Sequence, residues 1–147
     1  MNELIQAILN LMPKTSLSES FIEAVLKRLA VLGYHAEGQN DEFALCFAIQ
    51  KVEEHIKNSC NTATIPDGLV PVAVDRVCGE FFYAKKQTGQ LQIADLDFSG
   101  VVTSISEGDT SISFGAGASD DERFNQMLNY LTTQGESDFV CYRKLKW

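Results

Sequence analysis

Up to residue 89, apolar side chains recur at three- and four-residue intervals, and the pattern breaks only at proline, glycine and short polar stretches. That spacing lines one face of an α-helix, so this part of the chain is expected to fold as helices that share a core. Leu4, Ile5, Ile8, Leu9 and Met12 form the first stripe over residues 2–12, stopped by Pro13. Ser20 and Glu23 read as a capping box for a second helix with the stripe Phe21, Val25, Leu29 and Leu32, and Gly33 stands in the terminating position. Asn40 or Asp41 reads as the cap of a third helix reaching about Lys57 and carrying Phe43, Leu45, Phe47, Ile49, Val52 and Ile56. Apolar coverage that wide predicts contact with more than one neighbour.

A fourth helix follows Ile65-Pro66-Asp67-Gly68, with Val70, Val74, Val77, Cys78, Phe81 and Phe82 on its apolar face and Asp75, Arg76 and Glu80 opposite. Pro71 fits only within its first turn. Lys85 and Lys86 fall in its last turn, where the helix dipole favours cations, and Gly89 closes it. The period then changes to two. Val101–Ile105 and Thr110–Phe114 flank Ser106-Glu107-Gly108-Asp109, a hairpin signal at about 101–114. A lone hairpin is marginal in water, so it must pack on helices or on another chain. Ser119 and Glu122 form a second capping box, followed by the stripe Phe124, Met127, Leu128 and Leu131, and Gly135 ends that helix. The expectation is a mainly α protein: one domain over residues 1–147, a helical bundle with an inserted β-hairpin.

The 12 Lys+Arg against 20 Asp+Glu leave a net charge of −8, and 45% of residues are hydrophobic. Those proportions exclude disordered and collagen-like chains. The acidic balance argues against a broad basic surface that grips nucleic acid. A chain of this length buries roughly 70% of its unfolded surface, enough for one core. Near the N-terminus the early charge is Glu3 rather than a basic cluster, so no export signal is expected. The longest apolar runs, such as Leu69–Val74, are far below the roughly 20 residues of a membrane span.

The motifs that carry chemistry are weak. Cys46, Cys60, Cys78 and Cys141 are spaced 14, 18 and 63 residues apart, and His35 and His55 stand 20 apart. A metal shared by His55 and Cys60 is the one ligand pairing that spacing leaves open, and Cys46, Cys78 and Cys141, inside hydrophobic stretches, are expected to be buried free thiols. No metal or cofactor is expected. The Gly115-Ala116-Gly117-Ala118-Ser119 segment sits where a phosphate loop would, but the helix after it opens with Asp120-Asp121-Glu122, the wrong charge for a phosphate. The carboxylate pairs Glu53/Glu54 and Asp95/Asp97 read as solvated surface rather than an acid–base pair. Lys85-Lys86 and the tail Arg143, Lys144, Lys146 and Trp147 are the basic clusters. They serve either as helix-end and solubilising charges or as contacts to an acidic partner, to nucleic acid with Tyr142 and Trp147 stacking, or to a neighbouring subunit.

Whole segments say more than any single residue. IPDGLVPVAVDRVCGEFFYAKKQTGQL, then VVTSISEGDTSISFGAG, then DDERFNQMLNYL and the terminal CYRKLKW resemble the small head–tail connector (adaptor or head-completion) proteins of long-tailed phages and of prophages in Gram-positive bacteria. The resemblance runs from about residue 66 to the C-terminus. It implies a non-enzymatic virion protein at the head–tail junction, made in the host cytoplasm and assembled as a ring beneath the portal. Such a ring extends the DNA channel without gripping DNA and carries a stopper or tail protein on its other side.

A closed ring needs two different complementary patches on each subunit. One candidate patch is the Lys85/Lys86 end with Gln87 and the loop carrying Asp95, Asp97 and Phe98; the other is the hairpin turn with Glu107 and Asp109, or the tail Arg143, Lys144, Lys146 and Trp147. Two rival expectations are another tail-completion or small protein-binding module, and a small hydrolase. The hydrolase requires a concave pocket that holds His35 or His55 near carboxylates.

Overall fold

A computed structural model describes residues 2–13, 15, 17–89, 91, 96, 120–133 and 135–142. Among these the chain is helical: α1 (Asn2–Leu11), α2 (Glu19–Val31), α3 (Gly38–Cys60), α4 (Val70–Gln87), α5 (Asp120–Thr133) and a short α6 (Phe139–Tyr142). Single 3-10 turns, Asp67–Leu69 and Glu136–Asp138, lead into α4 and α6. The described residues contain no strand, and the hairpin expected at about 101–114 lies outside them.

The stripes read from the sequence face a shared core. Ile8, Ile22, Leu29, Ile49, Phe81, Phe82, Phe124 and Leu131 are fully buried. Helix α4 is the hub, packed against α2, α3 and α5. Along α2 the Cys78 thiol points to the Val25 carbonyl at 3.8 Å, and Arg28 Nε pairs with Asp75 Oδ1 at 2.9 Å. Helices α3 and α4 are antiparallel: Asp41 near the start of α3 meets Lys85 near the end of α4, and Lys51 meets Glu80 further along. Phe81 and Phe82 meet Tyr34 edge-on, and Phe82 does the same to Phe124, tying the α2–α3 link to α5 through α4.

Several boundaries differ from the sequence reading. Helix α2 starts two residues earlier, with Ser18 as its N-cap in extended geometry, so the Ser20/Glu23 box lies inside the helix. Ser18 and Ser20 hydrogen-bond each other through their hydroxyls at 2.7 Å. Helix α3 begins at Gly38, ahead of Asn40 and Asp41, and runs to Cys60 rather than Lys57. It opens early because the Asp41 carboxylate reaches back to accept the Glu37 N–H at 2.9 Å, doing from within the helix what a cap does from outside. Its end is set by Asn61, the one described non-glycine residue with positive φ.

Helix α3 meets more than one neighbour, as its wide apolar coverage predicts, but Phe43 and Phe47 face away from them. They are 44% and 73% exposed, since the packing partners of α3 (α1, α4 and α6) leave that side open. Arg76 reverses the opposite expectation: placed on the polar side of α4 by sequence, it is buried. With neighbours on three sides, α4 has too little free surface to keep all its charges in water.

The α4–α5 contact is close enough to demand a glycine. A Cβ on Gly79 would lie 2.8 Å from Leu131 Cβ and 2.9 Å from Thr132 Cγ2. In an open helix, Gly→Ala gains about 0.5–1 kcal/mol, but overpacking a fixed contact costs about 1–3 kcal/mol. Gly79→Ala is therefore expected to destabilise the fold by about 1–2 kcal/mol, read as a lower urea midpoint at unchanged slope.

Candidate functional site

One buried polar node, one partly exposed polar node and two surface features make up the candidate regions. The first node closes the end of the bundle where α3 begins and α4 ends. Asp41 and Lys85 are both nearly inaccessible and pair at 2.6 Å. Tyr34 donates its hydroxyl to both Asp41 oxygens, at 3.0 and 2.9 Å, and the Glu37 N–H takes Oδ2. Burial, followed by the bond to Asp41, pushes the Tyr34 hydroxyl well above its usual range and keeps it a donor. The Asp41 carboxylate is thus held by an ammonium, a hydroxyl and a backbone N–H, the multiple bonding a buried anion requires.

The second node straps the C-terminal segment to the far end of α3. Arg76 Nη2 binds Glu136 Oε1 at 2.8 Å, and His55 Nε2 meets the same oxygen at 3.0 Å. The Arg76 guanidinium lies 4.8 Å from the centre of the Phe139 ring, and His55 meets that ring edge-on. Phe139 is buried, and its carbonyl faces the Cys60 thiol. Tyr142 continues the strap to Gly68, where any Cβ would fall on its hydroxyl. Hydrogen bonds from Arg76, then from His55, hold the Glu136 carboxyl below its ordinary value of 4.5.

At the surface, Phe43 and Phe47 stand one turn apart on α3, and Tyr83 is 51% exposed on α4. Phe47 precedes Lys51 by one turn, and Tyr83 follows Glu80 by one turn. Because Lys51 and Glu80 pair across antiparallel helices, the register sets Phe47 and Tyr83 on the same seam. The second surface feature is a cleft of about 360 Å³ between α1, α2 and the start of α3. Glu3, Glu37 and Glu42 line it, over an apolar floor of Leu4, Leu26 and Ala30. Among the described residues, none of those three carboxylates is ion-paired.

Both histidines border clefts with carboxylates: His35 lies in the one just described, and His55 in one of about 260 Å³ with Glu80 and Glu136. His55 has an orienting carboxylate, but Thr132, the hydroxyl of that cleft, donates to its own helix at Leu128 O, 2.7 Å away. The Cys46 and Cys78 thiols offer no nucleophile at neutral pH. Burial pushes Cys46 up to about 11 and Cys78 higher still. No group of three or more His, Cys, Asp or Glu side chains that could hold a metal occurs among the described residues.

Of the residues singled out in the sequence, Lys85 stands in the last turn of α4 as expected and is buried there in its pair with Asp41. Lys86 is half-buried, 4.9 Å from the Phe124 ring centre with Nζ 3.3 Å from Asn125 Oδ1, and Gln87 is exposed. Asp95, Asp97, Phe98, Glu107, Asp109, Arg143, Lys144, Lys146 and Trp147 lie outside the described residues. The aromatic strip and the carboxylate cleft escaped the sequence reading. Only the breadth of apolar coverage on α3 pointed toward the strip. No protein-family model, curated protein or solved structure matches the chain.

Lys85→Met leaves the Asp41 carboxylate buried without its cation and is expected to cost about 3–5 kcal/mol by chemical denaturation. Adding Asp41→Asn, which still accepts from Tyr34 and Glu37, recovers part of that loss. At the other node, the lowered Glu136 carboxyl adds stability above its unfolded value near 4.5 that is lost as pH falls through the folded value. Glu136→Gln is therefore expected to lower the urea midpoint at pH 7 and to flatten its decline below about pH 4.5.

Proposed function

We propose that the chain is a non-enzymatic structural subunit of a phage or prophage head–tail connector, docking on the portal and closing into a ring that extends the DNA channel. The observation that carries an assembly role is the exposed aromatic strip Phe43, Phe47 and Tyr83. Aromatic side chains are favoured at interface centres, where their area is removed from water on docking. The resemblance of residues 66–147 to connector proteins supplies the kind of assembly. In this reading residues 101–114 form the hairpin and find their packing partner on the next subunit.

The interface set keeps Lys86, Gln87, Asp95, Asp97 and Phe98 on one side, and Glu107 and Asp109 or the Arg143, Lys144, Lys146 and Trp147 tail on the other. Lys85 leaves it, because exposing that ammonium would strand Asp41. The net charge of −8 suits a channel wall, since like charge denies DNA the counterion release that makes it stick. A stopper or tail protein takes the side away from the portal, and the protein resides in the virion after a soluble stage in the host.

The same strip fits a tail-completion or other small protein-binding module, and the portal separates the two. Purified chain mixed with its cognate portal is expected to add a ring visible by electron microscopy. Phe47→Asp is expected to abolish the ring while helical circular dichroism is retained. Folded wild-type protein that adds no ring contradicts the connector reading.

A further inference from the structure

We propose that the basic segment Arg143–Trp147 of one copy docks in the carboxylate-lined cleft at the start of α3 of a second copy. The inference rests on the reading of the chain as a self-assembling subunit and names one contact by which it assembles.

The cleft and the segment are complementary in charge and in apolarity. Glu3, Glu37 and Glu42 surround the cleft without an ion-pair partner among the described residues, over a floor of Leu4, Leu26 and Ala30. The segment reads Arg143-Lys144-Leu145-Lys146-Trp147: three cations for three carboxylates, and a leucine and an indole for the floor. A volume of about 360 Å³ is that of a small-ligand pocket, ample for one aromatic side chain. An arginine fork can take a carboxylate through two parallel hydrogen bonds, and the lysines add long-range attraction that sets orientation.

Covalent reach decides whose cleft is filled. The C-terminal strap is fixed where α3 ends, by Phe139 at Cys60 and Tyr142 over Gly68. The cleft lies where α3 begins, at Gly38 and Glu42. Eighteen helical steps from Glu42 to Cys60 span about 27 Å, whereas the five residues from Tyr142 to Trp147 extend at most about 18 Å. Backbone reach alone therefore leaves the segment short of the cleft on its own subunit, and the cleft of a neighbour is the one assigned to it. Such a contact joins unlike ends of two copies, the heterologous geometry that propagates a ring.

The test uses the full chain carrying Arg143→Glu, Lys144→Glu and Lys146→Glu, so that no competing segment is present. It is titrated against a fluorescein-labelled peptide of residues 142–147, with anisotropy as the readout. Saturable binding that weakens with salt is expected, and Glu37→Lys with Glu42→Lys in the receiving chain should weaken it about tenfold or more. Circular dichroism checks that the charge-reversed chain stays helical. No binding overturns the proposal, as does equal binding to both receiving chains; so does peptide that binds DNA but not the chain. Portal-bound rings formed without peptide binding would remove this contact and leave the connector reading standing. Peptide binding without rings would do the reverse.

Discussion

Burying α4 between three helices forces Arg76 and Lys85 out of water, and a buried cation left unpaired costs about 3–5 kcal/mol, a large share of the net stability of a typical domain. Each is therefore met by a carboxylate from elsewhere in the chain: Asp41 of α3 for Lys85, and Glu136 of the C-terminal strap for Arg76. These pairs fix the antiparallel register of α3 on α4 and the seat of the strap. Apolar contacts alone tolerate a helix sliding by a turn, but a paired buried charge does not.

That arrangement gives the molecule two unlike ends. At one, the Tyr34–Asp41–Lys85 node underlies the start of α3, and the carboxylate cleft opens beside it. At the other, Phe139 and Tyr142 anchor the strap from which the basic residues continue. The aromatic strip lies between, on the side of the α3–α4 pair that no described helix covers. Polarity of this kind is what head-to-tail assembly requires, because its two contact surfaces must differ.

The helices were legible because their signal is local. Three- and four-residue spacing placed α1, α2, α4 and α5, and Pro13, Gly33, Gly89 and Gly135 marked their ends. Starts were less legible. Ser18 and Ser20 are both competent caps, and α3 opens on a glycine because Asp41 supplies its cap from inside the helix. The roles of Arg76 and Lys85 were not legible at all, since their partners lie 60 and 44 residues away and burial is decided by packing. The cleft draws its carboxylates from residues 3, 37 and 42, each an ordinary surface glutamate in sequence. Phe43 and Phe47 illustrate the converse: apolar periodicity states that a face is to be covered, not that the same chain covers it.

Charge acquires a spatial meaning in this account. In the proposed connector the excess of acid would keep DNA from adhering, and the basic residues Arg143, Lys144 and Lys146, close together in sequence, would join subunits. The most direct measurement is a density map of the portal-bound ring that resolves Trp147. The account predicts its indole in the cleft between α1, α2 and the start of α3 of the adjacent subunit, with Glu37 and Glu42 against the tail's cations. A ring whose clefts stand empty, or whose tails fold back on their own subunits, would contradict it.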